Sequence, residues 1–210
     1  MISLLLAASL MTAQTQPSVN LCADARNCRD VGQVAIQLDD RVVTANINDN
    51  LPFVTQDGLQ LFLGESVVLE VSEAGALTVE SHSPANEIIT PPKLSRAVEE
   101  MNAAIAASGQ DVAPGTIDPV PDGRPLDRLR VSLMQVPGSV DTVLLVENGY
   151  DRQIDYRAQM QVPGQRGLQY TTTCELIPRL MVLEHWPHPV AVINMGSFRT
   201  VPTTGTMTCD

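Results

Sequence analysis

The sequence predicts a mainly β chain, an antiparallel β-sandwich with one amphipathic helix near 92–108. Short runs of period-two apolar alternation recur on both sides of the middle of the chain, the mark of half-buried strands. Turn-forming Asp, Asn, Gly and Pro residues separate those runs at hairpin-like intervals. One stretch alone has the 3.6-residue apolar spacing of a helix.

The first strands lie between Val34 and Glu80. Val34, Ile36 and Leu38 alternate with polar residues, as do Val43, Ala45 and Ile47. Leu59 to Leu63 stops at Gly64, Val67, Leu69 and Val71 alternate next, and Leu77 with Val79 gives a fifth strand. Asp39-Asp40, Asp49-Asn50, Asp57-Gly58, Gly64-Glu65 and Gly75 break the runs where hairpins need turns. The helix follows Pro91-Pro92, where a missing N–H costs nothing in a first turn. Its Leu94, Val98, Met101 and Ile105 share one face, and Gly109 is a natural stop, so it should cover an end or a face of a sheet.

Residues 111–127 hold Pro114, Pro119, Pro121 and Pro125 with Gly115 and Gly123, a linker or long loop. The chain thus divides into a signal peptide (1–13), a β-rich N-terminal half ending in the helix (14–110), the linker (111–127) and a β-rich C-terminal half (128–210). The halves either share one core or form two. In the second half Ile154, Tyr156, Ala158, Met160 and Val162 alternate with Asp155, Arg157, Gln159 and Gln161, ending at the turn signal Pro163-Gly164. The pentapeptide Met-Gln-Val-Pro-Gly occupies 134–138 as well as 160–164, and the likeness stops there, so it reads as shared turn chemistry. Val143–Val146, Leu180–Leu183 and Val190–Ile193 supply further strands. Leu144-x-Val146-x-Asn148 followed by Ile154-x-Tyr156-x-Ala158 resembles neighbouring strands of an immunoglobulin-like sandwich, a likeness of fold that implies no activity.

Ile2 to Met11 form an apolar run of about ten residues, the length of a signal h-region and about half that of a membrane span. The chain turns polar at once after it, and Thr12-Ala13 suits cleavage after Ala13; no Lys or Arg precedes the run. A secreted or periplasmic protein is expected, with no membrane insertion after cleavage. The residue before Cys22 is Leu21, which does not suit a lipobox, and the C-terminus is polar, which does not suit a GPI-type tail. The four cysteines, Cys22, Cys28, Cys174 and Cys209, fit two structural disulfides in an oxidising compartment. Of three possible pairings, Cys22–Cys28 with Cys174–Cys209 needs the least topology. The C-x5-C spacing fits neither a redox C-x-x-C nor a zinc knuckle.

Hydrophobic residues make up 44% and aromatics 3%, so the core is aliphatic. A formal charge of −11 repels nucleic acid and anionic lipid and argues against both as partners. Lys93 is the only lysine, with no Ser three residues before it, which leaves little for Ser–Lys chemistry. G-x-S-x-G, H-E-x-x-H, Walker A and G-x-G-x-x-G patterns are all missing. Asn46, Asn48 and Asn50 have the spacing of the first calcium-loop ligands, but Leu51 stands in place of the required Gly, so a polar strand face is the better reading.

One cluster has chemical character, Glu184-His185-Trp186-Pro187-His188-Pro189. Glu184, His185 and His188 are weak metal candidates if the chain bends at Trp-Pro; the simpler reading is a strand ending in a rigid turn with Trp186 capping the core. His82, beside Ser81 and Ser83, should be exposed. No catalytic residue and no cofactor is assigned. The reading is a non-catalytic exported binding or structural accessory protein of the cell envelope, whose partner is a protein or an envelope component. The alternatives are a small-ligand or metal-binding protein using Glu184–His188, or a hydrolase with an unrecognised site.

Overall fold

The structure, a computed structural model, describes residues 22, 24–87, 92–94, 96, 99, 127–204 and 207–209. Twelve strands follow in order: β1 (Cys28–Leu38), β2 (Arg41–Pro52), β3 (Val54–Thr55), β4 (Gly58–Phe62), β5 (Glu65–Val71), β6 (Leu77–Pro84), β7 (Leu129–Gln135), β8 (Thr142–Asn148), β9 (Gln153–Gln161), β10 (Gln169–Thr171), β11 (Met181–Trp186) and β12 (Val192–Val201). They form three antiparallel sheets. One five-stranded sheet has the order β10-β9-β12-β4-β3, the other β11-β8-β7-β5-β6, and β1 with β2 makes a separate two-stranded ribbon.

The two large sheets pack sandwich-like on one core. Alternation decides which side chains enter it. Leu59, Leu61, Ile154, Tyr156, Ala158, Ile193 and Met195 come from the first sheet, and Val67, Leu69, Leu129, Val131, Leu133, Leu144, Val146 and Val182 from the second. Residues before and after 111–126 therefore fill the same core, while that stretch itself lies outside the described residues. β8 and β9, adjacent in sequence, belong to opposite sheets. Asn148, fully buried, pins the crossing: its Nδ2 donates to the carbonyls of Arg152 at 2.9 Å and Leu176 at 3.0 Å, and its Oδ1 accepts from the Tyr150 amide at 3.0 Å.

Strand β8 is buried on both faces. Its second face joins Met134, Val136, Val143, Leu145, Met181 and Leu183 in a further apolar cluster, to which Ala85 and Leu94 belong. Residues 92–94, 96 and 99 are helical, so Leu94 brings the helix onto this outer sheet face, as its apolar stripe predicts; Val98, Met101 and Ile105 lie outside the described residues. The repeated pentapeptide is turn chemistry in both copies: Gly138 has φ 74° and Gly164 φ 82°, the left-handed backbone that glycine adopts freely.

Both disulfides form, Cys22–Cys28 and Cys174–Cys209, six and 35 residues apart. The second joins the segment between β10 and β11 to the chain's last residues.

The ribbon is anchored at its base by Arg29, which is 5% exposed. Its Nε donates to Glu65 Oε1 at 2.8 Å and its Nη2 to Glu65 Oε2 at 3.1 Å, a paired fork geometry that binds a carboxylate better than one contact would. The same guanidinium donates to the carbonyls of Leu51, Pro52 and Gln60 and stacks 4.1 Å from the centre of the Phe53 ring. Val34 and Ile36 of β1 enter the shared core.

Candidate functional site

The segment that the sequence singles out, Glu184–His188, spans the end of β11 and the turn after it. Leu183, His185 and Met181 of β11 lie on one face of the strand, and Val182, Glu184 and Trp186 on the other. Glu184 therefore points between the two sheets. It is 6% exposed and accepts a hydrogen bond from the fully buried Tyr156 hydroxyl at 2.5 Å. Burial lifts its carboxyl to about 7, while the Tyr156 hydroxyl and the Cys174 backbone amide pull it back down. The Tyr156 phenol is pushed well above its usual range by burial and by the neighbouring Glu184. Glu184 Oε2 is buried without a hydrogen-bond partner, as a carboxyl that keeps its proton tolerates better than a charged one.

The surroundings of this pair are closed. The Tyr156 ring stacks on Phe198 with centroids 5.8 Å apart, Thr173 Oγ1 donates to the Tyr156 carbonyl at 3.0 Å, and Trp186 Nε1 donates to Thr171 Oγ1 at 2.9 Å. Residues 171–174 are thereby laid along β9, with the Cys174–Cys209 bond beyond them. A buried acid without access to solvent cannot meet a substrate, so the pair is a core feature.

His185 faces the opposite way. Its Nε2 lies 3.1 Å from Asp141 Oδ2, tying β11 to the turn before β8. His188 Nδ1 lies 3.3 Å from the carbonyl of Pro189. Glu184, His185 and His188 are thus not brought together, and no group of three or more potential metal ligands occurs among the described residues. Trp186 is the last residue of β11 and 9% exposed in the core, a cap at the strand end. His82 is exposed and its ring lies 5.0 Å from that of Phe53. Asn46, Asn48 and Asn50 all fall within β2.

Strand β2 forms the outer edge of the two-stranded ribbon. Its residues 41–46 are all exposed, Val42 at 59% and Val43 at 41%. Hydrogen-bond phase identifies its free groups. The amide of Gln37 donates to Gln135 Oε1 at 2.8 Å, and Gln135 Nε2 donates to the Gln37 carbonyl at 3.0 Å. Both backbone groups of Gln37 therefore point away from β2, which makes Gln37↔Val42 a non-hydrogen-bonded pair of the ribbon. Pairs alternate, so Ala35↔Thr44 and Gln33↔Asn46 are of the same kind. The N–H and C=O of Val42, Thr44 and Asn46 consequently face outward, and no described strand pairs with them.

The register shifts between Asp30 and Gly32, where residues 48 and 49 of β2 stand against Val31 alone. Such a bulge bends an edge and discourages pairing. It confines the regular open edge to residues 41–47, where Arg41 is the one charged residue. Sequence alternation marks β2 as a strand; only the pairing shows which of its edges is open.

A scan against protein-family models finds no matching family, and searches of curated proteins and of solved structures find no match.

Proposed function

We propose that this chain is a non-catalytic, exported binding protein whose β1–β2 ribbon accepts an extended segment of a partner protein as an added strand. The observation that carries the reading is the outward-facing backbone of Val42, Thr44 and Asn46 on an exposed strand. A long edge left unpaired is a template for β-augmentation, in which main-chain hydrogen bonds supply affinity and alternate side chains supply selectivity. Val42 and Val43 offer apolar contact on the two faces of such a strand.

Export is part of the same reading. It is supported by the apolar N-terminal run and by two disulfides, which persist in oxidising compartments. A secreted or periplasmic location follows, with an envelope protein as partner. An immunoglobulin-like arrangement is the finer reading of the sandwich, supported by the step from one sheet to the other between β8 and β9.

Thr44→Pro tests the reading. Proline removes an N–H that faces solvent and leaves the ribbon's own ladder whole. Peptides selected from a random display library on the wild type should have alternating apolar residues, and Thr44→Pro should lose them while melting at the same temperature. Peptides that bind both forms equally would contradict strand addition at β2.

A further inference from the structure

The outer face of the first sheet carries a polar cleft, separate from the ribbon. Register places Tyr170 of β10 opposite Gln159 of β9, Gln159 opposite Asn194 of β12, and Asn194 opposite Gln60 of β4. Directly paired residues share a face, so one aromatic ring and three amides form a row across four strands. Beside the row, Arg157 pairs with Gly196, where the missing side chain leaves a trough. The turn at Asp57 forms the far wall. A Cβ on Gly196 would lie 2.6 Å from the Asp57 carbonyl oxygen, so the wall stands this close only because residue 196 is glycine. Ser197, in left-handed backbone at φ 56°, sits in the bulge that breaks the β12–β9 register. The resulting cleft encloses about 320 Å³, the lower end of the range for small-ligand sites.

The chemistry of the row is specific. Tyr170 is 77% exposed and Leu168, two residues earlier, is 45% exposed, a large apolar surface at the rim of a polar trough. Gln60 Nε2 donates to Asn194 Oδ1 at 3.2 Å, which spends one donor and one acceptor of the row. Each primary amide carries two donors and a carbonyl with two lone pairs, so the Asn194 amino group and most of Gln60 and Gln159 stay available. These groups are uncharged, offer donors and acceptors together, and stand beside an open aromatic face.

We propose that this row and trough bind a neutral, polyhydroxylated ligand, a stretch of glycan chain. Sugar hydroxyls are both donors and acceptors and match paired amides, while the C–H face of a sugar ring packs against an aromatic ring. Of the two charged side chains at the cleft, Arg157 is ion-paired with Asp155 at 3.8 Å and Asp57 repels anions, so with a formal charge of −11 an anionic polysaccharide is disfavoured. A peptide would spend its backbone groups on a sheet edge, whereas the three amides stand on β9, β12 and β4, each paired with a strand on both sides.

The test is a titration of the full chain with cellohexaose, chitohexaose and maltoheptaose, read by NMR at the Gln and Asn side-chain amides. At least one of these probes should shift Gln159 and Asn194. Tyr170→Ala and Gln159→Ala should each weaken that binding about tenfold, with the melting temperature unchanged, since both side chains reach solvent. Thr44→Pro should leave it intact, which separates this site from the ribbon. The proposal is overturned if none of the three probes shifts these resonances at millimolar concentration, if the shifts map to another face, or if binding survives Tyr170→Ala. It is also overturned if an uncharged hexapeptide shifts them as strongly as the sugars do.

Discussion

Glu184 sits on the core side of β11 for the same reason as Val182 and Trp186: side chains two apart on a strand share a face. That phase is readable in the sequence, and it separates Glu184 from His185 before any contact is known. What cannot be read locally is the partner, because Tyr156 lies 28 residues away on the other sheet. The pair has a pH consequence. A carboxyl whose folded value is about 7 and whose ordinary value is 4.5 keeps its proton in the folded state through a range where the unfolded chain loses it. The unfolded state then binds fewer protons, so this group's contribution falls as pH rises from about 4.5 to about 7, by about 3 kcal/mol in all. Glu184→Gln removes that slope. Denaturation at about pH 5 and about pH 8 should show the variant gaining on the wild type at the higher pH. A constant difference at both pH values would mean that Glu184 ionises freely in the fold.

At the scale of elements, the ribbon separates into a base that holds it and an edge that is open. Arg29 serves the base, and neither Glu65, 36 residues on, nor the carbonyls it reaches could be paired with it from sequence. Arg29→Ala leaves Glu65 with only the Phe62 amide as donor and takes the guanidinium from three carbonyls, and should cost about 3 kcal/mol in urea denaturation. A loss below about 1 kcal/mol would place the ribbon's attachment elsewhere. The edge makes its own prediction through two neighbouring residues. Ala45 pairs with Val34 in the hydrogen-bonded phase, so Ala45→Pro breaks the ladder and should lower the melting temperature. Thr44→Pro, one residue earlier, should not. Equal effects would mean that the outward assignment of Val42, Thr44 and Asn46 is wrong. Strands with clear alternation, such as β5 and β9, were legible, and so was the helix onset at Pro92–Leu94. Strands β3 and β10, of two and three residues, are too short to show a period.

At the scale of the molecule, two sheets share one core, and a covalent bond closes the end of the chain over it. The four cysteines are countable in the sequence, and the pairing that needs the least topology is the one the structure shows. Whether the two halves share a core could not, since that depends on which strands face each other. Chain-entropy arguments rank the crosslinks: removing Cys174–Cys209, 35 residues apart, should cost about 4 kcal/mol, and removing Cys22–Cys28, six apart, about 2 kcal/mol. Paired Cys→Ser variants compared in urea would check that order, and a larger loss from the short loop would reverse it. Photo-crosslinking in the producing cell shows whether the open edge of β2 receives a partner's strand. A photoreactive amino acid replaces Val42 in one variant, Thr44 in a second and the exposed Glu73 in a third. One discrete protein adduct is expected from positions 42 and 44, mapping to an extended segment of the partner, and none from position 73. No adduct at 42 or 44, or the same adduct from all three positions, would contradict it.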